Sequence, residues 1–553
     1  MELLNFITVY SILTISILGY GFLFSKVFSK YNNFQHNSIS IGYIGIFGIF
    51  FSIIISYLTN LIFPHNNLHN LIYIFIGLIS FFIFFKKNYK KLKTKYFLFS
   101  YLISFFAIFY FKSHDDFSYY HLSLINNIVE NKIEFGISHF DIAFNHVSSL
   151  FYFHSLFKTI FTGDYFYQIG QLSIVIFVNT ILLENIFNKN LNKFLNITFF
   201  LNLILLIFIN IFFYRLAEHG TDRSAQILFF LAFILIVNLF EENKLKKDNF
   251  ELIIIIFSLI ISIKSFYIIY SILFFIAYLK FFKFIELFKI FKVFPVSYLG
   301  ILILCLIILS NIAASGCLLY PISSTCIESF FWGYGKEQVV GAMQWYEIWS
   351  KAGASPNYRV ENFNEYLQNF NWVPNWFDNY FFNKFSDYLL GVVFALIVVI
   401  SFFWPKKLNF DKFKKYIPVY LILIILLIEW FLNHPALRYG GFVLVFLVVA
   451  FPFIILLSNQ KFKFTKKLIS IKLIILIIFI IFSGRNINRI MNEYKVYDYN
   501  FLKKPNYLIK SNFYTMQNTK KKYFKSVSKC SKNNSLNKIK CKEIFNYNFY
   551  FKN

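Results

Sequence analysis

The chain has 553 residues, of which 58% are hydrophobic, and its formal net charge at pH 7 is +27. Ordinary globular proteins contain about 45–50% apolar residues, and here the apolar residues form blocks long enough to cross a bilayer, so the composition excludes an ordinary soluble protein. The lysines lie in short linkers between these blocks instead of on one folded surface, which argues against nucleic acid as a partner.

The lysine-rich linker 86–95 fixes the predicted orientation, because short loops rich in Lys and Arg stay in the cytoplasm. Segment 3–24 follows no basic region, so it is expected to remain as a membrane helix instead of being cleaved as a signal peptide. About twelve spans are predicted by the length rule, with the N-terminus outside. They are 3–24, 39–63, 69–85, 96–112, 165–187, 194–214, 223–240, 294–314, 387–404, 417–433, 441–457 and 468–483.

Three stretches do not fit a simple crossing. Residues 117–129 place apolar side chains on one helical stripe and polar ones opposite, which predicts an amphipathic helix in the membrane interface. Segment 142–162 is apolar but interrupted by polar residues, which favours a juxtamembrane or re-entrant helix. Segment 250–281 is too long for one span and has Lys264 at its middle. It predicts two half-helices joined as a hairpin, whose polar turn lines protein or a cavity.

The predicted fold is an all-α polytopic membrane protein in five parts. These are an N-terminal three-helix membrane segment at 1–95, a membrane core at 96–314 with a first outer loop at 113–163, a large outer loop at 315–386, C-terminal membrane helices at 387–483, and a basic tail at 484–553. The tail is expected outside despite its lysines, since long segments translocate largely regardless of charge.

Four of the five cysteines fall in predicted outer regions, as the near-neighbour pairs Cys317 with Cys326 and Cys530 with Cys541. Disulfides persist in oxidising compartments, so two closed pairs would agree with this orientation. Free thiols with accidental spacing are an equal alternative.

The predicted outer face also collects ionisable and polar residues from distant parts of the chain. In chain order these candidates are Asp115, Asp116, His121, His139, Asp222, Lys264, Tyr320 and Arg438. Carboxylates act as general bases or hold a divalent cation, and Lys and Arg bind phosphate. The pattern specifies no metal, and the histidines lack zinc-ligand spacing.

Each candidate also has a structural alternative. Asp116 and Asp222 both precede predicted helices and would serve as N-caps. His121 lies on the apolar stripe of its helix, and Arg438 would reach the membrane interface by snorkelling. Lys264 is different, because a lysine between two apolar half-helices requires a partner or water.

Six short segments, in this order, carry a resemblance to a known superfamily. They are His-Asp-Asp-Phe-Ser-Tyr-Tyr-His at 114–121, Phe-Asn-His-Val-Ser-Ser at 144–149, Gly-Thr-Asp-Arg-Ser-Ala-Gln at 220–226, Ile-Lys-Ser at 263–265, Ser-Gly-Cys-Leu-Leu-Tyr-Pro at 315–321, and Pro-Ala-Leu-Arg-Tyr-Gly at 435–440. The ordered set resembles the GT-C superfamily of polytopic glycosyltransferases, which includes bacterial aminoarabinose transferases and protein mannosyltransferases. It is more similar still to a group of uncharacterised bacterial multi-spanning proteins.

The resemblance implies a GT-C-like core in the bacterial inner membrane, with its site on the outer face. It implies a polyprenyl-phosphate-linked sugar as donor and a glycan, lipid or protein as acceptor. By match, Asp116 or Asp115 would deprotonate the acceptor hydroxyl, with Asp222 as a second acid. Lys264 and Arg438 would bind the lipid phosphate. The remaining candidates, His121, His139 and Tyr320, are expected to bind substrate.

Three other hypotheses about the function predict different features. An O-antigen polymerase or ligase would centre on outer-loop arginines and histidines. A transporter would show internal symmetry between its halves and charges in the middle of the membrane. A non-catalytic scaffold would retain the fold without the chemistry.

Overall fold

The computed structural model describes residues 2–29, 40–88, 92–109, 116–162, 165–188, 193–215, 220–242, 245–286, 288–354, 360–404, 412–460, 462–503, 505 and 539–552. Most of these residues are helical, because a chain in hydrocarbon must satisfy its backbone polar groups internally. Within the described ranges the only strands are β1 and β2, which form one antiparallel hairpin near the C-terminus.

The helices follow one another along the chain, and the hairpin comes last. The first ten are α1 (Glu2–Ser29), α2 (Ile41–Asn60), α3 (Asn67–Asn88), α4 (Thr94–Ser104), α5 (Leu122–Glu130), α6 (Ser149–Ser155), α7 (Ile169–Ile186), α8 (Ile197–Ile207), α9 (Thr221–Glu242) and α10 (Lys247–Ile263). The others are α11 (Ile272–Leu279), α12 (Lys289–Val293), α13 (Val296–Ser315), α14 (Lys336–Lys351), α15 (Phe363–Leu367), α16 (Val373–Trp376), α17 (Ser386–Phe402), α18 (Phe413–Asn433), α19 (Phe442–Ser458), α20 (Phe464–Tyr497), β1 (Ile539–Ile544) and β2 (Tyr547–Lys552).

Ten helices in the described part of the chain are long and apolar enough to cross a membrane. They are Glu2–Val27, Ile41–Asn60, Asn67–Lys87, Ile169–Ile186, Thr221–Glu241, Val296–Ser315, Val373–Phe402, Phe413–Asn433, Leu437–Ser458 and Phe464–Tyr497. Each coincides with one of the twelve predicted spans. A multi-pass helical membrane protein is therefore confirmed, whereas the count of twelve is not.

The two other predicted spans, 96–112 and 194–214, correspond to shorter helices. Helix α4 ends at Ser104, and the guanidinium of Arg489 donates to the carbonyl oxygens of Phe106 and Phe109, at 3.2 and 2.7 Å. This contact gives two backbone acceptors beyond the end of the helix a hydrogen-bond partner. Helix α8 passes into a π-helical turn, and the apolar helix Ile197–Phe212 is shorter than a full span.

The predicted hairpin at 250–281 is broken at Lys264, as expected. Helix α10 ends at Ile263, Lys264 has an extended backbone (φ −145°, ψ 105°), and a 3₁₀ turn at Ser265–Ser271 leads into α11. The hydroxyl of Ser148 donates to the carbonyl oxygen of Ile263 at 2.8 Å. A side chain from the first loop therefore satisfies the backbone at the break.

The predicted interfacial helix at 117–129 packs elsewhere. It forms a π-helical turn at Phe117–His121 followed by α5, and its apolar residues, such as Tyr120 and Ile125, are buried. Their stripe meets α6, which is itself buried throughout. The stretch therefore belongs to the protein interior, because a neighbouring apolar segment covers its stripe. Helix α6 has seven residues, too few to cross a bilayer.

Helix α9 joins two chemically different faces of the molecule. Asp222 lies in its first turn, and Glu241 lies near its last. The 19 helical steps from Asp222 to Glu241 correspond to about 28 Å of helix, close to the thickness of the hydrocarbon core. Around Glu241 we define the basic face by Lys412 and Lys415, whose ammonium groups each lie 3.6 Å from its carboxylate, and by Lys280, which donates to the Leu239 carbonyl.

The opposite face, around Asp222, carries the first loop at 116–148 and residues 316–354 and 360–372 of the large loop, and we call it the loop face. The C-terminal hairpin also docks there. Its strand β2 pairs with Phe135, whose N–H donates to the carbonyl of Asn548 and whose carbonyl accepts from the N–H of Tyr550, both at 2.9 Å. The hydroxyl of Tyr547 donates to the carbonyl of Leu61 at 2.8 Å. The tail thus returns to the face that carries the loops.

One of the two cysteine pairs is a disulfide in the described residues. Cys317 and Cys326 are bonded within the large loop. Cys541 on β1 is also disulfide-bonded, and Cys530 lies outside the described residues. Cys305, within α13, is a free thiol.

Candidate functional site

Four of the predicted site residues meet in one ion-paired cluster on the loop face, which we call the ion cluster. The Nη2 atom of Arg438 lies 3.1 Å from Oδ2 of Asp116 and 3.0 Å from Oδ2 of Asp222. The Nζ atom of Lys264 lies 2.8 Å from Oδ1 of Asp222. Asp222 therefore contacts both cations, and Arg438 contacts both acids.

The ion cluster is partly open to solvent. The exposed fractions of the side chains are 32% for Arg438, 28% for Asp116, 18% for Lys264 and 14% for Asp222. Two carboxylates and two cations balance one another in formal charge, which is how partly buried charges are accommodated. The Asp116–Arg438 end is the more accessible, and the Asp222–Lys264 end is the deeper.

Local structure explains how each of the four is placed. Asp116 directly precedes the π-helical turn, and Asp222 lies in the first turn of α9, where the helix dipole favours a carboxylate. Lys264 occupies the break after α10, where no helix constrains its direction. Arg438 lies in the irregular turn Leu437–Gly441 between α18 and α19. Helix ends and breaks therefore supply all four groups.

Aromatic side chains satisfy the backbone of the turn that carries Arg438. The indole N–H of Trp376 donates to the carbonyl of Pro435 at 2.8 Å, and that of Trp430 donates to the carbonyl of Ala436 at 3.0 Å. Buried irregular backbone requires such partners, since an unpaired carbonyl is costly. These contacts hold the turn in one geometry.

Gln226 ties α9 to the same turn. Its amide donates to the carbonyl of Arg438 and accepts from the N–H of Val443, both at 3.1 Å. It lies four residues after Asp222, so both side chains point from one helical face. Gly440 completes the turn with φ +89°, and a Cβ there would collide with the hydroxyl of Tyr270. One face of α9 thus orients both the side chain and the backbone of Arg438.

A second polar network lies beside the ion cluster. His146 Nε2 lies 2.7 Å from the hydroxyl oxygen of Tyr346, which lies 3.4 Å from the hydroxyl of Tyr320. Burial, together with the positive charge of Lys264, lowers the pKa of His146 to about 3 against the opposing effect of Asp116. His146 is therefore neutral at pH 7. Tyr320 reaches the site through this network instead of touching the ion cluster.

Two aromatic rings, one of them from the large loop, flank Arg438 of the ion cluster. The guanidinium carbon of Arg438 lies 5.6 Å from the ring centres of both Trp349 and Tyr439, and such contacts between a cation and an aromatic face are favourable. Trp349 comes from α14, the same helix as Tyr346. Helix α14 therefore contacts both polar networks.

The other predicted site residues are distributed around this centre. The ring of His121 packs 4.3 Å from that of Tyr120 and 4.8 Å from that of Phe151, near the start of α9. His139 is held instead by the large loop, with Nε2 at 3.2 Å from the carbonyl oxygen of Trp332, and burial lowers its pKa. Asp115 lies outside the described residues.

The sequence reasoning missed four residues of this site: His146, Gln226, Tyr346 and Trp349. His146 and Gln226 fall inside segments that carry the GT-C resemblance, and Gln226 follows Asp222 at helical spacing, which was the available signal. Nothing in the sequence of the large loop singles out Tyr346 or Trp349 from its other aromatic residues. In the described ranges no group of three or more His, Cys, Asp or Glu residues is arranged to hold a metal ion.

Comparisons with known proteins identify a family but no characterised relative. The model of a domain of unknown function, DUF8201, matches residues 3–445, so the chain belongs to this family. Neither the curated proteins nor the solved structures contain a match. The matched region includes all four members of the ion cluster.

Proposed function

We propose that this member of the DUF8201 family is a GT-C-type membrane glycosyltransferase. It would move a sugar from a polyprenyl-phosphate donor to an envelope glycan, lipid or protein acceptor. The observation that carries the proposal is the ion cluster, in which Asp116 and Asp222 share Arg438 and Asp222 also binds Lys264. It combines carboxylates for base chemistry with cations for a phosphate in one partly enclosed site.

The reaction assigns a different task to each charge. The acceptor oxygen bonds to the anomeric carbon of the donor sugar while the bond from that carbon to the phosphate oxygen breaks. The phosphate leaves with the bonding electrons, and Lys264 and Arg438 stabilise its charge. The hydroxyl proton passes to Asp116, the more exposed of the two acids. Asp222, which contacts both cations, positions them.

The contact between Arg438 and Asp116 also suggests an order of events. The guanidinium engages the carboxylate of Asp116 at 3.1 Å. A lipid phosphate that binds Arg438 competes with Asp116 for the same guanidinium N–H groups. Asp116 is then released from Arg438 and can act as the base. Donor binding thus precedes activation of the acceptor.

The distribution of charge and the disulfide favour an external site. The basic face lies one membrane thickness from the ion cluster, and the positive-inside rule assigns such a face to the cytoplasm. The Cys317–Cys326 disulfide belongs to the large loop, and disulfides persist in oxidising compartments. We therefore assign the loop face to the exterior of the bacterial inner membrane.

The position of the charges argues against a transporter. Asp222 occupies the first turn of a membrane helix, and Arg438 begins another. Transport sites lie near the middle of the bilayer, whereas these groups gather at its edge. An edge site suits an enzyme that takes a lipid substrate from the membrane and a polar substrate from water.

Complementation of a deletion strain tests the proposed function. Loss of the gene should remove one envelope glycan and accumulate its lipid-linked sugar, both measurable by mass spectrometry. Asp116→Asn and Asp222→Asn should fail to restore the glycan at normal protein levels. Asp248→Asn, which alters an acid at the other end of the molecule, should restore it. Asp115→Asn is tested separately. Full rescue by Asp115→Asn, Asp116→Asn and Asp222→Asn would exclude the acid–base role.

A further inference from the structure

A row of aromatic rings leads outward from the ion cluster along α14. Trp349 touches Arg438, as described above. One turn earlier, the ring of Trp345 lies 6.5 Å from that of Trp349 with an interplanar angle of 22°, so the two rings are nearly parallel. Trp345 is 55% exposed. The row therefore begins in solvent and ends at the guanidinium.

The surface over Trp345 is open. Gly341 lies one turn before Trp345 on the same face of α14, since residues four apart are neighbours on a helix. No heavy atom comes within 4 Å of where a Cβ would lie at Gly341. The surface of α14 next to Trp345 is therefore open at Gly341. A leucine at this position would place a side chain in this open space, next to Trp345.

The surroundings of Trp345 differ from those of a membrane-embedded patch. Before Trp345, the exposed residues of α14 are Lys336, Glu337, Gln338, Gly341 and Met343, of which Met343 is the one large apolar side chain, at 37%. By contrast, the segment before α12 exposes Phe284, Ile285 and Phe288 together, by 72%, 89% and 82%. Clustered apolar exposure fits insertion into the bilayer. An indole whose exposed neighbours on its helix are mostly polar fits a water-borne ligand.

We propose that Trp345 and Trp349 form a binding platform for a sugar ring of the acceptor glycan. One face of a pyranose is lined by C–H groups and is apolar, while its hydroxyls point outward. The C–H face would pack on Trp345, and the hydroxyls would be directed along Trp349 to the Arg438–Asp116 pair. Aromatic side chains offer large rigid contact areas of this kind, and a few polar groups set the orientation.

The location selects the acceptor over the donor. A polyprenyl-linked donor enters from the bilayer, whereas α14 belongs to the large loop on the aqueous side. Trp345 is on the exposed end of the row, and Arg438 is at its inner end. This inference rests on the proposed function, since it assigns a substrate of the same site.

Binding measured apart from transfer tests the platform. The full-length protein in lipid nanodiscs is titrated calorimetrically with oligosaccharides released by mild acid from the envelope of the encoding organism. Trp345→Ala and Gly341→Leu should each weaken binding about tenfold or more, a loss on the scale of one aromatic contact. Trp345→Phe should keep most of the affinity. Gly484→Leu, at another open helical glycine, is the matched control and should bind as the wild type does.

The outcomes separate the two proposals. Equal binding by wild type, Trp345→Ala and Gly341→Leu, or no binding by the wild type, overturns the platform. Stronger quenching of tryptophan emission by brominated acyl chains in the wild type than in Trp345→Phe also overturns it, because the ring of Trp345 would then lie in the bilayer. Restoration of the glycan by Asp116→Asn would instead overturn the transferase proposal. That variant should still bind the oligosaccharides if the platform is correct.

Discussion

Arg438 and Asp222 are 216 residues apart in the chain, yet Nε and Nη2 of the guanidinium lie 3.1 and 3.0 Å from the same carboxylate oxygen. The Nη2 atom also contacts Asp116. Only a planar group with several donors can serve two acids and keep a face for an aromatic ring. The relationship therefore depends on arginine, and not merely on a positive charge.

Arg438→Lys should lower glycan formation by about 100-fold or more, the scale seen when one stabilising donor is removed from an active site. A lysine ammonium keeps the charge but cannot span both acids. The measurement is glycan per unit of protein in the complemented deletion strain. Arg485→Lys, which changes an exposed arginine bonded to the carbonyl of Ile211, is the matched control. Equal activity in the two variants would contradict this role for the guanidinium.

Gln226→Leu should destabilise the protein by about 1–3 kcal/mol, the usual cost of leaving buried polar groups unpaired. The carbonyl of Arg438 and the N–H of Val443 would both lose their partner. Because the turn then loosens, glycan formation should fall too. Thermal unfolding in nanodiscs and the complementation assay give the two readouts. Gln338→Leu on the exposed side of α14 should change neither, and an unaltered unfolding temperature in Gln226→Leu would show that the turn does not need this amide.

The pH dependence of stability should reveal His146. Its pKa is about 3 in the fold and 6.5 in the unfolded chain, so between these values the unfolded state binds the extra proton. The stabilisation is complete above pH 6.5 and is lost as the pH falls towards 3, by at most about 1.4 kcal/mol per pH unit. His146→Gln removes the titrating imidazole, and with it this pH dependence, and keeps an amide beside Tyr346. The difference in unfolding free energy between wild type and variant should therefore shrink as the pH falls below 6.5. The other buried histidines are the same in both proteins, so their contributions cancel. Parallel curves of unfolding free energy against pH for the two proteins would contradict the lowered pKa of His146.

The sequence revealed the charges of this site better than their arrangement. Charged residues are rare and costly in an apolar chain, so Asp116, Asp222, Lys264 and Arg438 stood out without any structure. Their mutual contacts were not visible, because they depend on how four separate helix ends pack. For the same reason the contact between His146 and Tyr346, 200 residues apart, had no sequence signal.

Helix lengths were predicted where hydropathy alone decides them. The ten long apolar helices match predicted spans, since length and composition determine whether a helix can cross a bilayer. The length of helix α4 was overestimated because Arg489, from a distant helix, binds carbonyl oxygens beyond the end of α4. The stripe at 117–129 was assigned to the membrane interface because periodicity shows an apolar face but not what covers it.

The proposed orientation predicts which cysteines a membrane-impermeant maleimide can reach in intact cells. In a Cys305→Ser background, Glu328→Cys on the loop face should be labelled, since Glu328 is 69% exposed. Lys414→Cys on the exposed part of the basic face should be labelled only after the membrane is permeabilised. Gel shift measures both. The reverse pattern would put the ion cluster in the cytoplasm and exclude an external transferase.

The C-terminal hairpin should depend on Glu134. Its Oε1 accepts from the amide of Asn548 at 3.0 Å and from the hydroxyl of Tyr550 at 2.8 Å, and burial raises its pKa. A raised carboxyl pKa means that the folded state holds its proton longer, so stability falls as the pH rises above 4.5 through the folded pKa. Glu134→Gln keeps an acceptor oxygen without this cost.

Glu134→Gln should therefore match or exceed the wild type in stability at pH 8, whereas Glu134→Leu should release the hairpin. In Glu134→Leu the hydroxyl of Tyr550 loses its acceptor, at a cost of about 1–3 kcal/mol. Limited proteolysis with a C-terminal tag measures this release, because a docked strand resists cleavage and an undocked one does not. Glu543→Gln, at an exposed position on β1, should behave as the wild type does. Equal protection in all three variants would mean that the pairing of Phe135 with β2, and not the buried carboxylate, holds the tail on the loop face.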